Sequence, residues 1–241
     1  MRLALPSFVR LAVAALLALV LAGPAAAETV KVGCVEFPPL TYSDVDGRAV
    51  GSVVDLISDI LKRAAVPFDV KCYPGARLLA GLRDGSTHVA ILIRHPELAD
   101  AVQYGTLPVA YLDLRAYRLA ATPPLGDIRN SRGKSVIVLR GYGYGDWIDF
   151  FRDQDNHLTL SYADSRQAAI RMLASGHGDY LLDYADPATP ALAQVSLPEL
   201  RSESLARLDT YFLVSKKAPD AAALLRRIED IFTRMGAKPV N

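Results

Sequence analysis

Short β-branched runs alternate along the chain with segments whose apolar side chains recur every three or four positions. Val30, Val32 and Val35 predict a first strand. Val53, Leu56, Ile57, Ile60, Leu61 and Ala64 keep helical spacing until Pro67 stops them. Residues 68–73 alternate as a second strand, 76–82 form a short helix ended by Asp84-Gly85, and 89–93 are a continuous apolar run of the buried-strand kind. Residues 111–120 read as a longer extended segment and break at Pro123-Pro124. A second unit repeats the logic. A strand at 135–139 leads through Gly141-Tyr142-Gly143-Tyr144-Gly145-Asp146 into a helix at 147–152. Asp164 then reads as the N-cap of a helix to Leu173, with Gln167 at the capping-box position. Tyr180-Leu181-Leu182 is a buried strand with Asp183 directly after it. Residues 210–214 form a last strand, and 219–235 an amphipathic helix. Such alternation predicts a largely parallel α/β design, built as two lobes with a cleft between them. The extended segments near Tyr117 and Thr210 are the expected crossings.

The first 27 residues fall outside this pattern and read as a cleavable secretion signal. Arg2 and Arg10 supply a positive start, Leu11 to Ala22 is unbroken apolar sequence, and Ala25-Ala26-Ala27 is a small-residue cleavage site before Glu28. That apolar run falls short of the roughly 20 residues a membrane span needs. The formal net charge of +1 becomes −1 once Arg2 and Arg10 leave with the signal. Mixed signs and near neutrality argue against nucleic acid as a partner. Export places Cys34 and Cys72 in an oxidising compartment, where the pair is either a disulfide or two buried free thiols. Their two strands, with one helix between them, are expected to be parallel neighbours within bridging range. His88, His95, His157 and His177 show no metal-ligand spacing, so neither a metal nor a cofactor is expected, and His95 and His177 are expected to face solvent.

Candidate chemistry gathers where strands end. Glu36-Phe37-Pro38-Pro39-Leu40-Thr41-Tyr42 is a stiff loop carrying two aromatic rings and a carboxylate, and proline leaves it little freedom to lose on binding. Its alternative reading is a cover for the core edge. Arg94 follows the 89–93 strand, where its planar fork suits a carboxylate or an ion pair with Glu97 or Glu36. Asp183, beyond a buried Leu-Leu pair, needs a cation: a ligand ammonium or a structural arginine. The glycine run lacks the third glycine of a dinucleotide fingerprint, since Asp146 stands there, and is not followed by Gly-Lys-Ser/Thr. It remains a loop whose N–H groups suit a carboxylate, with Tyr142 and Tyr144 available to stack.

Five motifs in order carry a resemblance. They are the aromatic Pro-Pro loop with its turn, Gly51-x-x-x-Asp55-Leu56, and Leu78-x-x-Gly81-Leu82-x-x-Gly85. The other two are Val138-Leu139-x-Gly141, and Leu173-Ala174-x-Gly176-x-x-Asp179 followed by Asp183. Over residues 28–237 the chain resembles the periplasmic solute-binding proteins of ABC importers, in the family typified by polar amino-acid binders. The resemblance implies a type II periplasmic binding fold of two Rossmann-like lobes. Lobe 1 takes residues 28–118 and 208–241, lobe 2 takes 119–207, and the C-terminal helix returns to lobe 1. It further implies a ligand wall at Phe37 and Tyr42 with Glu36 beside it, a helix-start site at Gly141, Tyr142, Gly143 and Tyr144, and an ammonium-binding Asp183. The loop at Ile93–Leu98 departs from the family pattern. Leu98 stands where a carboxylate-clamping arginine is usual, leaving Arg94 or Arg77 to supply the guanidinium. The function implied is capture of a small polar or zwitterionic solute by a monomer that presents it to a membrane permease. Two alternatives stand beside it: a periplasmic hydro-lyase resembling cyclohexadienyl dehydratase, with Glu36 as its acid, and a ligand sensor for a membrane receptor.

Overall fold

The computed structural model describes residues 28–240 apart from Asp146, Ser196 and Pro198. The secretion signal read at residues 1–27 lies outside the described residues. Strands β1 (Val30–Cys34), β2 (Tyr42–Ser43) and β3 (Ala49–Val50) precede helix α1 (Ser52–Arg63). Next come β4 (Phe68–Cys72), α2 (Gly75–Asp84), β5 (Val89–Ile93), β6 (Val102–Tyr104) and the long β7 (Ala110–Leu119). The following segment holds β8 (Ser135–Leu139), α3 (Trp147–Arg152), β9 (Thr159–Ala163), α4 (Arg166–Ala174), β10 (Tyr180–Tyr184) and α5 (Ala185–Leu192). The chain returns through β11 (Leu200–Ser215) to α6 (Ala221–Arg234).

One sheet runs β4-β1-β5-β11-β7-β10-β8-β9, with β6 on β11. Its two ends are parallel: β4, β1 and β5 at one, β10, β8 and β9 at the other. Between them β7 and β11 pair antiparallel from Ala110↔Thr210 to Leu119↔Leu200, with a register shift at Ser204/Ala206. The sheet is therefore mixed rather than largely parallel. The two expected crossings lie side by side as a two-stranded ribbon.

The buried side chains fall into clusters, one of which joins the two halves. Val30, Val32, Ile57, Ile60, Phe212, Ile228 and Phe232 pack together in the first, so α6 docks where the chain began. Val136, Val138, Tyr144, Phe151 and Leu182 of the second half share a cluster with Phe37, Leu40 and Val53 of the first, and Ile137, Ile170, Leu173 and Leu181 lie in another. Helix α1 forms because Val53, Val54, Ile57, Ile60 and Leu61 line one buried face. Its start is fixed to the aromatic loop: Val53 N–H donates to the Leu40 carbonyl (3.0 Å). Gly51 (φ +120°) is required there, since a Cβ would come within 2.4 Å of that same carbonyl oxygen.

Cys34 and Cys72 stand opposite each other on β1 and β4 and are joined in a disulfide, with Cα atoms 4.2 Å apart. The expected cap of α4 shifts by one residue. Ser165 Oγ accepts from Ala168 N (3.1 Å), while Asp164 turns outward to Arg140 (2.7 Å). Strand β9, helix α5 and the first half of β11 have no counterpart in the sequence reading.

Candidate functional site

A cleft of about 610 Å³ opens between the two halves of the sheet. That is the size of a small-molecule pocket. From the first half come the end of β1 and the Pro-Pro loop (Val35 to Phe37), Tyr73 to Gly75 at the start of α2, and β5 with His95 beyond it. From the second come Leu139 to Gly143, Asp164 to Gln167 at the start of α4, and Tyr184 with the face of α5. Leu112 and Thr210 of the two long strands contribute to its lining.

Aromatic rings dominate the contact between the walls. The Phe37 ring lies 6.1 Å from Tyr142 and 5.3 Å from Tyr184, centroid to centroid. The Tyr142 hydroxyl donates across the cleft to the Glu36 carbonyl (3.2 Å) and accepts from Arg166 Nη2 (2.8 Å). Burial pushes the Tyr142 phenol above its ordinary range, with Arg166 pulling the other way. Nearby, a Cβ on Gly75 would stand 3.0 Å from the Gly141 carbonyl oxygen, so the halves meet here backbone to backbone.

The strongest electrostatic feature is the pair Arg166–Asp183. Asp183 lies inside β10, one residue before its end and not directly after the strand as expected, with a side chain only 2% exposed. Its Oδ2 accepts from Arg166 Nε (2.8 Å), and its Oδ1 accepts from Tyr184 N–H (2.8 Å) and more distantly from Arg166 Nη2 (3.4 Å). Burial raises the Asp183 carboxyl above the usual carboxylate range, while Arg166 and the Tyr184 N–H oppose that shift. Burial works against the Arg166 cation too, but Asp183 and Tyr142 outweigh it and hold the guanidinium charged. The same guanidinium sits 5.6 Å from the Phe37 ring centre and 5.1 Å from that of Tyr142.

The structure thus brings Glu36, Phe37, Gly141, Tyr142 and Gly143 together at the cleft and places other expected site residues elsewhere. Tyr42 pairs with Val50 in the β2–β3 hairpin and does not line the cleft. Arg77 lies over the ring of Tyr73 (5.4 Å), and Arg94 is exposed, stacked on Tyr104 and Tyr211 (5.0 and 4.5 Å). Neither guanidinium borders the cleft. Tyr144 is fully buried in the core, its hydroxyl bonded to backbone. Asp183 lies behind the wall, covered by Arg166. Of the two cations left open for it by the sequence, the structure supplies the structural arginine.

Arg166, Arg140, Tyr73, Tyr184 and His95 line the cleft and have no place in the sequence-derived set. A signal for Arg166 existed: it is the first residue of a helix that starts where strand ends gather. His95 is half-buried rather than solvent-facing. Its Nδ1 finds no partner among the described residues, and burial lowers its pKa, with Glu97 opposing. Among the described residues no cluster of three metal-ligating side chains occurs.

Two α/β halves joined by paired crossing strands, with the C-terminal helix returned to the first half, make this the type II periplasmic binding protein fold. Solved structures of that kind superpose on most of the chain. A histidine kinase sensor domain with similarity to periplasmic binding proteins matches at 20% identity and a TM-score of 0.73, over 87% of this chain and 92% of that one. The holo arginine-binding protein ArgBP of T. maritima matches at 21% identity and a TM-score of 0.67, over 88% and 92%. The GluR0 ligand-binding core in complex with L-glutamate matches at 16% identity and a TM-score of 0.68, over 88% and 96%. No family model and no curated protein matches the chain.

Proposed function

We propose that this chain is an exported solute-binding protein. It captures a small organic molecule in the cleft by closing its two lobes, and hands the occupied state to a membrane partner. The observation that carries the reading is the cleft itself, whose aromatic rings come from both halves and whose walls are tied by the Tyr142 hydroxyl on the Glu36 carbonyl. Such contacts exist only when the halves are together, so a ligand held between them favours the closed state. The lobes are residues 28–118 with 208–241, and 119–207, and the β7–β11 ribbon is the hinge. Glu36, Phe37, Gly141, Tyr142, Gly143 and Arg166 are the proposed ligand-facing residues.

The neighbours' ligands, arginine in one and glutamate in another, have side chains of opposite charge, so the fold does not choose the solute. A permease is the first candidate for the membrane partner. Likeness to a kinase sensor domain supports a receptor as the second. Glu36 lies exposed at the rim with its carboxylate accepting from Ser43 N–H (3.0 Å) and the Ser43 hydroxyl, and no observation favours the hydro-lyase reading.

The test is calorimetry and thermal shift against a panel of amino acids, organic acids and amines, combined with small-angle scattering. At least one solute is expected to bind and to shrink the radius of gyration. A panel with no binder, and a particle whose size no solute changes, would count decisively against capture.

A further inference from the structure

Resting on the solute-capture reading, we infer that the cleft takes a small aromatic monocarboxylate, and that its ligand needs no ammonium group. The argument begins with what the protein has already used. The resemblance assigns Asp183 to a ligand ammonium, but Arg166 covers it with two hydrogen bonds, and only 2% of the Asp183 side chain is exposed. That guanidinium lies against both Phe37 and Tyr142, the rings that would otherwise flank a cationic ligand. The chain therefore carries its own cation where a bound one would sit. An incoming ammonium would have to displace it, or lie beside a like charge.

The other carboxylates at the cleft are also engaged. Asp164 pairs with Arg140 (2.7 Å), and Glu36 holds Ser43. Both are exposed and already partnered, so neither gives an ammonium the buried, unpaired carboxylate that would offset the cost of burying its charge.

Donors, by contrast, are in surplus. Arg166 Nη1 has no acceptor among the described residues, since Nε and Nη2 make all of that side chain's hydrogen bonds. The Arg166 and Gln167 N–H groups at the start of α4 also lack one, the Ser165 hydroxyl serving Ala168 instead. A free guanidinium edge and free N–H groups at a helix start are each the kind of donor that holds a carboxylate. Beside polar groups such as His95, Arg140 and Gln194, the wall offers aromatic and aliphatic surface, with Tyr73, Leu78 and Ile91 on the first half and Tyr184 on the second. A ring is the body that such a wall stacks upon.

A matched series reads this directly. 3-Phenylpropionate carries the ring and carboxylate, phenylalanine adds the ammonium, and phenethylamine has the ammonium alone. Calorimetry on the wild-type protein is expected to give 3-phenylpropionate an affinity at least about tenfold above phenylalanine, with no binding of phenethylamine. Arg166→Met combined with Asp183→Asn removes the pair without stranding a buried charge. That variant should keep its circular dichroism and lose at least about tenfold in affinity for 3-phenylpropionate. Equal or tighter binding of phenylalanine or phenethylamine overturns the assignment and leaves solute capture standing. Silence from all three also overturns it, and the wider panel with scattering then decides capture separately. Unchanged affinity in the folded double variant shows that Arg166 does not hold the carboxylate and overturns the inference as well.

Discussion

Tyr144 shows how much one residue's setting decides. It stands in a glycine-rich stretch with a left-handed backbone (φ +52°), and its ring is fully buried. Its hydroxyl accepts from Leu139 N–H (2.8 Å) and donates to the Leu182 carbonyl (3.2 Å), joining the end of β8 to the middle of β10. Tyr144→Phe keeps the ring and strands both backbone groups in a dry core, a loss of about 1–3 kcal/mol. Urea unfolding should show it as a lower midpoint with unchanged slope; a shift below about 0.5 kcal/mol would mean water reaches the two groups. From sequence, Tyr142 and Tyr144 are equivalent, two tyrosines between glycines. The backbone turn alone sends one to the cleft and the other to the core, and no local pattern encodes that choice. Asp183 was readable up to its need for a cation, but not to the identity of that cation, because Arg166 lies 17 residues away on another element.

At the scale of elements, legibility follows periodicity. Helices α1 and α6 and strand β5 are strongly patterned and stand within two residues of their expected limits. The first half of β11 reads Arg-Ser-Glu-Ser and is a strand only because β7 lies alongside it. Helix α5 contains Pro187 and Pro190, which read as breakers, yet the first falls in the opening turn where its missing N–H costs nothing. The fold was legible in outline because two parallel units can be seen in the spacing of strands and helices. The cleft was half legible, since its floor depends on pairings between elements. One such pairing was open to sequence: Cys34 and Cys72, at the ends of neighbouring parallel strands. Their bridge closes a separation of 38 residues. In the chain-entropy account such a loop stabilises by about 3–4 kcal/mol. The Cys34→Ser/Cys72→Ser variant should therefore melt lower, and the oxidised wild type should fall toward it when a reductant is added. Identical melting of oxidised and reduced wild type would show that the bridge adds no stability.

For the whole molecule, the β7–β11 ribbon is the covalent and hydrogen-bonded link between the halves, while Phe37, Leu40 and Val53 of the first half share a buried cluster with Val136, Tyr144 and Tyr184 of the second, so relative rotation of the halves works against that cluster. Capture in this scheme requires that the walls reach contact, and one close point of that contact is Gly75 against Gly141. Gly75 opens helix α2 and is not held at positive φ, so a side chain there is compatible with its own backbone. What a side chain meets is the other lobe, at 3.0 Å already for its first carbon. Gly75→Leu is therefore a wedge: harmless to each half, obstructive to their meeting. The ligand-free variant should keep its circular dichroism and a cooperative melt, since the added side chain meets the other half and not the packing of its own. Its affinity for the best wild-type ligand should fall at least about tenfold, because every binding event must now also open the clash. Scattering should show the ligand-dependent contraction of the wild type reduced or lost. A variant that binds and contracts as wild type does would mean that the ligand is held without the Gly75–Gly141 approach, and the hinge reading would then have to place its closing contact elsewhere.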